Sequence, residues 1–172
     1  RKWLALNDAP DNFGDFFGFM IAAIDAVLVS QNVALAAEAS GLGICYIGAT
    51  LANTDQIGEI LELPPGVVAV TGLALGWPDE EPEPRDRLPI DGLVHYERYH
   101  DHSDAEIAEM YHDRNRAGWD RYMGNKRLRE MVQASDVENL AQLYTRLKYT
   151  PEAHEHHSPL LLDYLRQQGF LD

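Results

Sequence analysis

The sequence predicts a single domain, residues 1–172, that mixes a few short strands with long helices. Three observations carry the prediction. Apolar side chains recur at helical spacing between Asp15 and Ser40, two short runs rich in strand-forming residues follow, and the register returns to helical from Asp104 to the end. At 172 residues the chain is long enough to bury roughly two-thirds of its unfolded surface. Its 45% hydrophobic and 24% charged residues are ordinary for a folded globular domain.

Taken in order, the first long element has Phe17, Met20, Ile21, Ile24, Val27, Leu28, Leu35 and Ala39 on one side and alanines on the others. It is expected to be a helix buried nearly all round. Its Asp25, Gln31, Asn32 and Glu38 make it a poor membrane span, and Gln31 and Asn32 would need buried partners. Gly41 stands where a helix C-cap belongs. Ile44 to Gly48 reads as a short strand. Asn53 or Thr54 caps a helix to about Leu61, and Leu63-Pro64-Pro65-Gly66 ends it. Val67 to Leu75 has little alternation, as in a strand covered on both faces. Gly76 to Pro89 holds Pro78, Pro82, Pro84 and Pro89 and must be an extended loop. Leu93 to Tyr99 is expected to add an edge strand. Helices are then expected over Asp104–Tyr122, Leu128–Leu147 and Pro159–Gln168, with Ser103 and Ser158 as N-caps, so that 104–172 forms a helical extension.

The run Gly41-Leu42-Gly43-Ile44-Cys45-Tyr46-Ile47-Gly48 invites comparison with a dinucleotide-binding loop. That loop requires the glycines to follow a strand and open a helix. Here the order is reversed, so the fingerprint fails. Charge is the next guide. The formal net charge of −14 argues against a nucleic-acid binder. From Trp3 to Pro84 there is no lysine or arginine, and then Arg85 and Arg87 arrive two residues apart. In an extended loop such a pair projects to one side and can grip a single phosphate bidentately; alternatively it offsets Asp79, Glu80, Glu81 and Glu83. A second basic group follows from Arg114 to Arg129.

In this order, "SQNVALAAEASGLGICYIG", "ILELPPGVVAVTGLALGWP", "EPRDRLPIDGLVHYERY" and the closing "LLLDYLRQQGF" resemble the nitroreductase superfamily, in its NADPH-preferring, oxygen-insensitive branch. The resemblance implies an α+β fold with a central, mainly antiparallel sheet flanked by helices, in an interlocked homodimer. It also implies FMN bound at the subunit interface and NADPH or NADH as hydride donor, with a nitroaromatic, quinone or flavin as small-molecule acceptor in a ping-pong cycle. The flavin carries the chemistry, so no side chain is expected to be catalytic. By resemblance Tyr46, Ile47, Gly48 and Ala49 lie against the flavin ring, and Arg85 and Arg87 meet its phosphate. Arg114 aligns with an arginine used for the NADPH 2′-phosphate; read by itself, it is one exposed helix arginine among several. A second such arginine is replaced by Ser158. The family's N-terminal portion is absent from the sequence, and the opening Arg1-Lys2-Trp3 reads as the continuation of something upstream.

The remaining candidates are set aside. His154, His156 and His157 are expected in a solvated connecting loop, and no metal ligands are assigned. Cys45 is expected to be an inert core thiol; as the only cysteine it suits a reducing compartment, and the cytoplasm is the expected location. Trp119 and Tyr122 are expected to pack on a helix face, whereas Trp77 has a better claim to line a site. The competing function is a flavin-binding protein of the same fold with little or no turnover; a histidine-based metalloprotein is the third.

Overall fold

The computed structural model describes every residue except Asp86. Its helices are α1 (Lys2–Leu6), α2 (Phe16–Ala39), α3 (Thr54–Ile60), α4 (Asp104–Gly124), α5 (Lys126–Gln133), α6 (Leu140–Leu143) and α7 (Pro151–Gln167), with strands β1 (Gly43–Ile47) and β2 (Gly72–Gly76). The strands form an antiparallel pair in which Gly43 faces Gly76 and Ile47 faces Gly72. The fold is therefore α+β, as expected. The chain divides into two compact units, one of Arg1–Glu81 with Glu155–Asp172 and the other of Pro82–His154.

In the first unit, Asp15 caps α2 by accepting the Gly18 amide at 2.7 Å. At the other end Gly41 has φ +78°, the left-handed region that suits glycine. The Gly41 amide donates to Glu38 O and the Leu42 amide to Ala37 O, a Schellman closure that turns the chain directly into β1. Gly169 closes α7 in the same way at φ +76°, which lets Phe170 fold back beside Leu165. Those two residues and Phe19 form this unit's core, with Val68, Val70 and Leu161 against it.

Several expectations are corrected here. Helix α2 is not buried all round: only Gly18, Phe19, Ser30, Ala34 and Ala37 are buried, while Phe17 is 72% and Leu28 60% exposed. The small residues on its buried side allow close approach of its neighbours, but apart from Phe19 its large apolar side chains are left uncovered by the described residues. Gln31 and Asn32 are accordingly exposed and need no buried partners. Among the described residues α2 is the one helix long and apolar enough to cross a membrane. Val67 to Leu75 is not a continuous covered strand. Val68 and Val70 pack on the core without strand pairing, and only Gly72–Gly76 pairs, with its last three residues exposed. Cys45 is exposed, because β1 has β2 as its one neighbour and its far residues are not covered.

In the second unit, Leu93–Tyr99 is not a strand. A 3₁₀ turn at Ile90–Gly92 takes the Val94 amide onto Ile90 O, and Glu97 adopts φ +62°, so the backbone curls locally. Ser103 caps α4 as expected, in a reciprocal capping box with Glu106. The helix expected over Leu128–Leu147 is broken into α5, α6 and a π-helical turn at Tyr144–Lys148. Asn139 restarts the chain by capping α6 through the Gln142 amide at 2.9 Å. Tyr122, Val132, Val137, Leu140 and Leu143 make the core, with Trp119 packed beside them. Gly118 permits this packing: a β-carbon there would meet Leu140 Cδ2 at 2.5 Å.

The last helix also starts earlier than expected. Thr150 caps it through the Ala153 amide at 3.3 Å, with Pro151 in the first turn. His154, His156, His157 and Ser158 therefore lie in α7, not in a loop, and Pro159 is inside the helix. Ser158 is not a cap.

Leu143 is fully buried, whereas Leu160 on α7 keeps 38% of its surface. Leu143→Ala is expected to cost about 3 kcal/mol and Leu160→Ala less than about 1 kcal/mol, measured by chemical denaturation.

Candidate functional site

The second unit contains a cavity of about 170 Å³ lined by Arg85, Arg87, Arg114, Arg121 and Tyr144. Each lining residue has a traceable position. Arg85 and Arg87 come from the proline-rich extended stretch, where the Arg87 Nη1 donates to Arg85 O at 3.1 Å and ties the two together. Arg114 and Arg121 are seven residues apart on α4, two helical turns, and so share one face. Gly118 lies between them on that face, and the close contact it allows with Leu140 on α6 brings the following turn, with Tyr144, to the cavity wall.

The electrostatics follow from the lining. Among the described residues no carboxylate lies within ion-pair distance of any of the four guanidinium groups. Arg114 rests over the Tyr111 ring at 5.6 Å, which holds it without neutralising it. Lys148 sits over the rings of Tyr122 at 5.1 Å and Tyr144 at 5.5 Å, and Tyr122 is the main cause of its raised pKa. Like charges gathered in a concave site, in a chain of net charge −14, favour an anion with several oxygens. Guanidinium is the group that matches phosphate bidentately.

The sequence pairs Arg85 with Arg87; the structure adds Arg114 to the same cavity, and with it Arg121 and Tyr144, which the sequence reading missed. The available signal for Arg121 was its seven-residue spacing from Arg114. Tyr144 had none, since its position depends on the break after α5 and on the π-helical turn. Trp77 belongs to the other unit and is 80% exposed. Trp119 and Tyr122 pack in the core, as expected.

The residues expected to face a flavin ring lie in the first unit, at the end of β1. Tyr46 turns its hydroxyl to Ser30 Oγ, 3.1 Å away, so what it can offer a ligand is main chain. The Ile47 carbonyl accepts from Thr50 Oγ1 at 2.8 Å, and the Ala49 carbonyl accepts from Asn53 Nδ2 at 2.8 Å. The amides of Gly48 and Ala49, by contrast, donate to nothing among the described residues. No atom lies within 4 Å of where a Gly48 β-carbon would stand. Two free donors beside open space suit a flat ligand that carries carbonyl and ring-nitrogen acceptors.

Residues 15–77 match the family model described as Nitroreductase family. An NADPH-dependent oxidoreductase of Staphylococcus aureus (strain USA300) is 32% identical over 158 residues, covering 80% of this chain and 63% of that protein. A crystal structure of a putative oxidoreductase from Bacteroides fragilis NCTC 9343 superposes with a TM-score of 0.86 at 35% identity, over 99% of this chain and 66% of that one. The NADPH:FMN oxidoreductase from Vibrio harveyi, solved with NAD⁺, gives 0.68 at 28% identity, over 98% and 63%. The chain thus spans slightly less than two-thirds of the length of these proteins.

The cavity is expected to bind phosphate and, more tightly, pyrophosphate, with affinity falling as salt rises. Replacing both Arg85 and Arg87 with glutamine removes charge-assisted hydrogen bonds worth about 1.5–3 kcal/mol each and is expected to weaken pyrophosphate by at least about a hundredfold, read by calorimetry.

Proposed function

We propose that this chain, whose residues 15–77 match the Nitroreductase family model and whose fold resembles that of oxidoreductases, is an FMN-dependent NAD(P)H oxidoreductase that reduces nitroaromatics, quinones or flavins. The observation that carries the reading is the cavity of four arginines, which have no carboxylate partner among the described residues. The names of its relatives, an NADPH-dependent oxidoreductase and an NADPH:FMN oxidoreductase, support the same chemistry.

Each unit by itself offers donors suited to part of a flavin mononucleotide. In the second unit Arg85 and Arg87 would hold a dianionic phosphate, and in the first the amides of Gly48 and Ala49, without partners among the described residues, would donate to a flavin ring. When bound, FMN supplies the redox chemistry, a hydride taken from NAD(P)H and passed to the acceptor in a ping-pong cycle. The protein's own part is binding and orientation. The Tyr46–Ser30 contact fixes the end of β1, and the Thr50 and Asn53 bonds occupy the Ile47 and Ala49 carbonyls, which leaves the Gly48 and Ala49 amides and the Gly48 carbonyl for a ring that carries both acceptors and a donor. Arg114 and Arg121 would serve a further phosphate, that of NADPH, and Arg121 supplies the second guanidinium that Ser158 does not.

The exposed apolar face of α2 supports a homodimer. Phe17, Ile24, Leu28, Val29 and Leu35 together are more apolar surface than a lone chain keeps in water, and a second copy would cover them. A membrane is the less favoured cover, because Asp25 and Glu38 interrupt the helix. No nucleic-acid partner is proposed, and the cytoplasm is the proposed compartment.

Two outcomes are expected. The purified protein, supplied with FMN, should show a flavin absorbance spectrum that bleaches when NADPH is added without oxygen. Retained flavin that does not bleach would favour the non-turnover binding protein, and failure to take up FMN would sink both. By light scattering coupled to gel filtration the protein should run as a dimer, and Leu28→Glu should shift it to monomer or to aggregate.

A further inference from the structure

The segment ahead of α4 reads His100-Asp101-His102-Ser103-Asp104-Ala105-Glu106, and no role in the flavin chemistry uses it. His100 and His102 lie on the approach to the helix, and Glu106 is in its first turn. The three offer one ligand atom each, all within 4.8 Å of one another. We propose that His100, His102 and Glu106 form a binding site for a zinc-class divalent cation that ties the approach segment to the first turn of α4.

The capping box prepares the carboxylate. Glu106 Oε2 accepts from the Ser103 amide at 2.7 Å and from Ser103 Oγ at 2.8 Å, which leaves Oε1 for another partner. Oε1 faces His100 Nε2 at 3.4 Å. Two ligands of a tetrahedral zinc, each about 2.0–2.1 Å from the metal, stand roughly 3.3 Å apart, so this edge is already of ligand length. The Ser103 amide bond is also the main reason the Glu106 carboxyl is lowered to about 2, which keeps it anionic.

The histidines are oriented as well. The His100 and His102 rings meet edge to face at 4.7 Å, and the His100 amide donates to His95 Nδ1 at 3.1 Å. The His95 ring lies 5.7 Å from that of His102 and acts as a positioning residue. His102 Nε2 is buried and makes no hydrogen bond among the described residues. The His100–Glu106 ion pair alone would not account for this, since both side chains are more than half exposed and such pairs contribute little. Two imidazoles and one carboxylate select zinc over the oxygen-seeking calcium and magnesium, and three protein ligands leave a fourth position for water. The sequence reading looked for metal ligands at His154, His156 and His157, which now lie along α7; the better-formed set is at the other histidine-rich segment.

The test uses tag-free protein treated with EDTA, dialysed free of chelator and titrated with zinc chloride by calorimetry. One equivalent should bind to the wild type, at least tenfold more weakly to His100→Ala and to His102→Ala, and unchanged to the double variant His154→Ala, His156→Ala. Far-UV circular dichroism checks that each variant is folded. Cobalt(II) added to the wild type should give the intense visible bands of a four-coordinate site, a readout independent of any variant. Absence of stoichiometric zinc binding, weak bands of six-coordinate cobalt, or binding that follows His154 and His156 would overturn the proposal.

Discussion

The close packing of α4 against α6 is the contact on which the candidate site depends. Four guanidinium groups with no carboxylate beside them among the described residues repel one another, so they gather only where a stronger interaction fixes their backbones. That interaction is burial. Leu140 is removed from water against Gly118 and Leu143 within the same cluster, and each fully buried leucine contributes roughly 1.5–3 kcal/mol. The missing side chain at Gly118 thus serves two ends: it lets α6 approach, and it leaves Arg114 and Arg121 two turns apart on a helix that cannot shift. The arginines are held in an arrangement that water alone would disperse.

A second constraint acts at the ends of the helices in the other unit. Gly41 and Gly169 both sit in the left-handed region, and both terminate a helix by a Schellman closure. One closure turns α2 into β1; the other returns Phe170 onto Leu165 and Phe19. The glycine-rich run that suggests a nucleotide loop is a helix stop. Its part in the proposed binding is indirect: it delivers β1, at whose end the Gly48 and Ala49 amides have no partner among the described residues. A flavin-binding reading needs donors beside open space, and the helix stop places them there.

What was legible in the sequence divides along physical lines. The Ser103 cap, the Gly41 stop and the short strand expected at Ile44–Gly48 and found at Gly43–Ile47 depend on residues within a few positions of one another, and local chemistry is enough to find them. Ser158 misled because Ser-Pro is also a sound helix start; Thr150-Pro151 is the one used, and Pro159 is carried within the helix. The break between α5 and α6 was invisible because the apolar spacing persists across it, while Asn139 restarts the chain on a new axis. The strand expected at Leu93–Tyr99 had suitable residues but no neighbouring edge with which to pair.

By itself the sequence determined α2 with its Gly41 stop, the short strand after it, the Ser103 cap of α4, the acidic first half and the abrupt Arg-x-Arg that follows it. These are properties of residue type and spacing, which the chain carries in any conformation. Only the tertiary structure decided which cations share a cavity, because that depends on the distance between α4 and α6 and not on their separation in sequence. It also decided that α2 keeps its large apolar face exposed: the same alternation of alanine and leucine fits a core helix or an interface helix, and the difference lies in what else is within reach to cover it.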